Sequence, residues 1–130
     1  MKPIFKTGDT KEYATTVTEK DIAEFETRVV HHFYSTFALS RDAEWACRQF
    51  VLEMKDNDEE GIGTFIHVEH HAPALVASKI IFTTQVESVN GNEVICSFKA
   101  TSNGRLIATG ETGQKILKKE KLEKLAKQAL

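Results

Sequence analysis

The stretch Ser35-Thr36-Phe37-Ala38-Leu39-Ser40-Arg41-Asp42-Ala43-Glu44-Trp45-Ala46-Cys47-Arg48-Gln49-Phe50-Val51-Leu52-Glu53-Met54-Lys55 decides the fold. Neither glycine nor proline interrupts it. Phe37, Cys47, Val51 and Met54, joined by Ala43 and Phe50, recur at intervals of three, four and seven residues, the period of one helix face. Hydroxyls at Ser35, Thr36 and Ser40 suit an N-cap, and the acidic run from Asp56 to Glu60 closes the far end. One long amphipathic helix ending near Lys55 is predicted, its broad apolar face, Phe37 included, looking inward. Glu44 shares that stripe, and burial would raise a carboxyl pKa unless a donor stabilised the charge.

Outward from the helix the pattern is β. Downstream, Gly61 and Gly63 end the loop, and residues 64–71 read as a strand. Pro73 interrupts it. Ile80, Phe82, Thr84 and Val86 then alternate, Asn90-Gly91 marks a hairpin turn, and Val94, Cys96, Phe98 and Ala100 alternate again. A second turn at Asn103-Gly104 leads into a last strand over 105–117, and Leu122, Leu125, Ala126 and Ala129 give the lysine-rich tail a helical stripe. Upstream, residues 11–18 read as a strand with Tyr13, Thr15 and Val17 on one side. Thr18 and Asp21 form a helix-entry pattern for a short helix through Ile22, Ala23 and Phe25. The order implies an α+β domain filling residues 1–130, in which a mainly antiparallel sheet buries one face on the long helix. An exposed sheet edge favours a two-fold homodimer.

Composition narrows the function classes. With 17 Lys plus Arg against 19 Asp plus Glu, the net charge of -2 offers no general attraction to nucleic acid or to an anionic membrane. No apolar run approaches the ~20 residues of a membrane-spanning helix, and the start lacks the apolar region of an export signal. Cys47 and Cys96 match no C-x-x-C spacing, and buried free thiols in a reducing cytoplasm are expected. There is no G-x-S-x-G elbow, no phosphate-binding glycine loop and no H-E-x-x-H helix. No cofactor is implied.

Among residues that carry chemistry, His70 lies on the even side of its strand with Thr64, Ile66 and Val68, the side expected to face the helix and Glu44. His67, Glu69 and His71 alternate on the odd side. A metal site there would need a further ligand, and a solvated strand face is the simpler reading, so no metal is expected. His31-His32 cannot be assigned a role.

Two separated segments resemble the fluoroacetyl-CoA thioesterase family of hotdog proteins. The run from Tyr34 to Cys47, especially Glu44-Trp45-Ala46-Cys47, is similar to that family's central helix, with Thr36 eight residues before Glu44. The run from Gly61 to His70 resembles its Gly-x-Gly-Thr strand ending in a histidine. The resemblance implies a hotdog fold, a sheet wrapped around a central helix, with sites at the interface of a homodimer, and a tetramer of two such dimers stays open. It also implies hydrolysis of a small or short-chain acyl-CoA by Thr36, Glu44 and His70. Phe37 and Gly63, inside the two motifs, are then expected substrate contacts, with Lys115 and Lys118 as candidates for the CoA phosphates. Thr36 and Glu44 stand ~12 Å apart along a continuous helix, so they serve different parts of a thioester or Thr36 precedes the helix. On an ungapped alignment Thr27 and Val30 stand where the fluoroacetyl-selective relative carries pocket aromatics, and Gln114 stands near a family Arg. Two other readings stay open. One is an enoyl-CoA hydratase-like enzyme, suggested by Gly8-Asp9 and Val17 to Ile22, and the other a non-catalytic acyl-CoA-binding module.

Overall fold

The computed structural model describes residues 1–130. Helix α1 runs Thr36–Met54. Ser35 is its N-cap, with extended backbone and a hydroxyl that accepts the Ala38 N–H at 3.0 Å. Ala43, Ala46, Cys47, Phe50, Val51 and Met54 are buried along it, as the periodicity requires. Phe37 is not. It is 74% exposed, which corrects the inward placement expected for it. At 100° per residue Phe37, Arg41, Glu44 and Arg48 fall on one row at the margin of the apolar face, so Glu44 also stands at the edge of the core and is exposed.

Strands β1 (Thr10–Thr16), β4 (Glu59–His70), β5 (Lys79–Asn90), β6 (Glu93–Ser102) and β7 (Arg105–Lys118) form one antiparallel sheet in the order β1-β5-β6-β7-β4. Helix α1 touches every strand of it. Ile80, Phe82, Thr84 and Val86 on β5 and Val94, Cys96, Phe98 and Ala100 on β6 turn inward, as their alternation predicts. Each fully buried Phe, Leu or Val contributes roughly 1.5–3 kcal/mol, so this face and the α1 stripe are the main source of stability. Both cysteines are free and buried.

The Asn103-Gly104 hairpin forms with φ of 52° and 73°, the left-handed pair that such a turn demands. The turn foreseen at Asn90-Gly91 sits one residue later: Asn90 still pairs with Glu93, and Gly91-Asn92 make the loop. Strand β4 begins at Glu59, so Gly61 and Gly63 lie inside it, and its register shifts between Gly63 and Phe65. As an edge strand only partly covered by α1, it leaves Ile62, Phe65 and Ile66 exposed.

The short helix expected after Thr18 stops after one turn. Thr18 and Asp21 do form the capping box, around a 3-10 turn over Glu19–Asp21. The chain then becomes β2 (Ile22–Phe25), paired with β3 (Arg28–Tyr34) in a separate two-stranded sheet. The β-branched and aromatic content of 22–34 favours strand, and the turn between them places Glu26 and Thr27 at φ of 52° and 65°. The C-terminal helix α2 (Lys119–Gln128) forms as its stripe predicts, yet none of its residues is buried.

Candidate active site

Three elements converge at the start of α1. The 3-10 turn and β3 anchor it: Asp21 accepts from the Thr18 N–H at 2.8 Å and from Arg41 at 2.8 Å, Arg41 also bonds Asp42, and the buried Tyr34 hydroxyl donates to Asp42. Asp21 is buried, which alone would raise its pKa, but Arg41 and Thr18 hold the carboxyl below its ordinary range. Burial, reinforced by Asp42, pushes the Tyr34 phenol up, so it stays protonated and donates. The first turn of α1 is thereby fixed. Thr36 opens that turn, and its own N–H and that of Phe37 have no acceptor within the helix.

At the end of β4, His70 reaches Thr36: Oγ1 and Nδ1 are 3.0 Å apart. The other ring nitrogen, Nε2, is buried and makes no hydrogen bond to the protein. Buried nitrogens are rarely left so, and only the nearby Ala72 backbone favours the charged form of this ring. Burial pushes the His70 pKa down, against the pull of the Ala72 backbone, and His31 and His71 act in the same direction as burial. The imidazole is therefore neutral at neutral pH. The pair opens into a cleft of about 330 Å3, to which His31, Phe33 and His71 also contribute.

Glu44 lies elsewhere in the chain. It lines a second groove with Phe37, Ser40, Trp45 and Ile66, and its Oε1 lies so close to Gly63 that an added Cβ would sit 2.9 Å away. A side chain at 63 would push the carboxylate, the far end of a flexible side chain, away from the β4 backbone. Gly63 and His70 are seven residues apart on β4, ~20 Å along a strand. Within one chain, then, Thr36 and His70 meet, while Glu44 and Gly63 meet at the other end of the same strand. Neither flanking arginine is free to pair with Glu44. Arg41 is held by Asp21 and Asp42, and Arg48 by Glu60 and the Gly61 carbonyl.

Lys115 is exposed on β7 opposite Ile62, and Lys118 forms an ion pair with Asp58 at 2.9 Å. Gln114 is buried and accepts from Arg48 at 3.5 Å, so the guanidinium near this position comes from α1. His67 lies 3.6 Å from Glu69, and His71 bonds Thr109, with no third ligand grouped on them. His31 is the residue that sequence reasoning left unassigned and that the structure brings to the cleft. The missing signal was the β2–β3 hairpin: a helix-entry pattern precedes β2, and the β3 segment that carries His31 shows no readable period.

An antiparallel sheet laid across one long helix is the hotdog architecture, and solved hotdog proteins of the thioesterase superfamily share it. A thioesterase superfamily member from Thermus thermophilus is 33% identical over 99% of this chain and 95% of its own, with a TM-score of 0.92. A hot-dog-like protein from Thermanaerovibrio acidaminovorans is 23% identical over 97% of this chain and 93% of its own, at 0.88. The fluoroacetyl-CoA thioesterase FlK is 19% identical over 97% and 98% of the two chains, also at 0.88. Among curated proteins none matches significantly. The model of the fluoroacetyl-CoA-specific thioesterase family FlK matches residues 17–120, and the chain belongs to that family.

Proposed function

We propose that this protein hydrolyses a small or short-chain acyl-CoA to the free acid and CoA, using Thr36, Glu44 and His70. The observation that carries the reading is the Thr36–His70 pair at the cleft, with a neutral imidazole whose second nitrogen is unpartnered. The attacking oxygen belongs to Glu44 itself or to a water whose proton Glu44 takes. The C–S bond then breaks and the thiolate leaves with little proton help because thiols are acidic; the water route frees the acid directly, while the Glu44 route leaves an acyl–Glu44 anhydride that a water hydrolyses to the acid and the free carboxylate. His70 moves the proton, Thr36 orients the ring, and the free N–H groups of Thr36 and Phe37 at the α1 start receive the developing oxyanion. Phe37 and Gly63 wall the Glu44 groove, and Lys115 and Lys118 serve the CoA phosphates.

The working form in this reading is a homodimer. Its support is the exposed apolar groove of Phe37 and Trp45 of α1 with Ile66 of β4, beside a sheet edge with unpaired backbone whose Ile62 and Phe65 are exposed on the other side. Antiparallel pairing of two β4 edges about a two-fold axis near Ile66 sets Gly63 of one chain beside His70 of the other. Glu44, which leans on Gly63, thereby joins the second copy's Thr36 and His70, and the separation within one chain is removed.

The test is thiol release from a panel of acyl-CoAs, read beside enoyl-CoA absorbance. Wild-type protein releases thiol, and Glu44→Gln and His70→Ala each lower hydrolysis about a hundredfold or more while remaining folded. Binding without thiol release would favour a non-catalytic module, and loss of enoyl absorbance a hydratase. Full turnover in both variants would end the assignment.

A further inference from the structure

The cleft that holds Thr36 and His70 carries more nitrogen chemistry than the proposed hydrolysis uses. His31 reaches it from β3 and His71 from the end of β4, so three imidazoles line one small space. Within one chain no carboxylate lines it, and in the proposed dimer the second copy's Glu44 is the one that joins it. His31 is held in a defined state: its Nδ1 accepts the Phe33 backbone N–H at 3.1 Å, and its ring packs against the Phe33 ring with centroids 5.5 Å apart. A neutral imidazole that accepts at Nδ1 carries its proton on Nε2. Nε2–H is thus a donor of known identity, and it has no acceptor in the protein. His71 is already spent through Nε2 on Thr109. His31 therefore lines an open cleft of about 330 Å3 with an Nε2–H that no other group of the chain accepts.

Resting on the thioesterase reading, we propose that His31 is a specificity-determining residue, donating through Nε2 to a hydrogen-bond acceptor on the acyl group, so that the preferred substrates are short acyl-CoAs bearing a carboxylate, hydroxyl or keto oxygen. The physical reason is asymmetric. A plain alkyl acyl group entering the cleft desolvates the His31 donor and gives it no partner, whereas an acyl oxygen satisfies it.

Matched pairs of equal chain length test this: butyryl-CoA against succinyl-CoA and 3-hydroxybutyryl-CoA, followed by thiol release. In the wild type kcat/KM for at least one oxygen-bearing member exceeds that for butyryl-CoA by about tenfold or more. His31→Phe, which keeps the ring packing and deletes the donor, collapses that ratio about tenfold, and His31→Gln, which retains an N–H near the Nε2 position, recovers part of it. The proposal is overturned if the wild type favours butyryl-CoA, or if the ratio is the same in His31→Phe. Turnover of every member without preference removes this inference alone. Absence of turnover for any acyl-CoA removes the hydrolase reading and this one with it.

Discussion

His70 can act as a proton acceptor only while its ring is uncharged. Burial, with His31 and His71 adding to it, lowers its pKa from the ordinary 6.5, so the charged form appears only in more acidic solution. The sign follows: activity is full at neutral pH and falls as pH drops through the depressed value. In the proposed dimer the second copy's Glu44 acts the other way and favours the charged ring, so Glu44→Gln should lower the His70 midpoint followed by NMR, and an unchanged midpoint would mean that the two groups do not meet. Much of this was legible from residue types. Thr36, Glu44 and His70 could be picked from two motifs, but not which of them touch. Thr36 and His70 meet because β4 ends beside the α1 start, and Glu44 stands apart because its row lies at the helix margin.

The elements that carry these side chains are held by a polar network at the α1 N-terminus. Asp21 is buried and accepts from Thr18 and Arg41, so its removal leaves the Thr18 amide without its acceptor and Arg41 with Asp42 alone. Asp21→Ala should cost about 2 kcal/mol at pH 7 in urea unfolding. Because the folded pKa of Asp21 lies below 3.8, that stabilisation is complete above pH 4 and vanishes as pH falls through the folded value, so the two proteins converge in acid. Equal stability at pH 7 would show that the network contributes nothing. The capping box that heads this network was visible as Thr18 and Asp21. Its outcome was not, since one capped turn followed by Ile22 and Phe25 reads as a helix unless the chain is known to reverse at Glu26 and Thr27. Those are not the residues that signal a hairpin with positive φ, whereas Asn103-Gly104 are, and that hairpin was read correctly.

For the whole molecule, the element order, the β5–β6 and β6–β7 hairpins and the long helix followed from alternation and turn residues, whereas the pairing of β1 with β5 and of β4 with β7 did not. The exposed apolar face did not follow: Phe37 fits the helical period, and only the position of β4 at the sheet edge reveals that it looks away from the core. A second copy on that face links residues that a single chain keeps ~20 Å apart along β4. Mixed dimers decide whether it does. Glu44→Gln and His70→Ala proteins, each nearly inactive, are unfolded together and refolded as a mixture. If the carboxylate of one chain serves the imidazole of the other, half of the dimers are mixed and each has one intact site, so the mixture regains about a quarter of wild-type thiol release. Recovery to that level is the expected result, and a mixture no more active than its two components would contradict a site shared between chains.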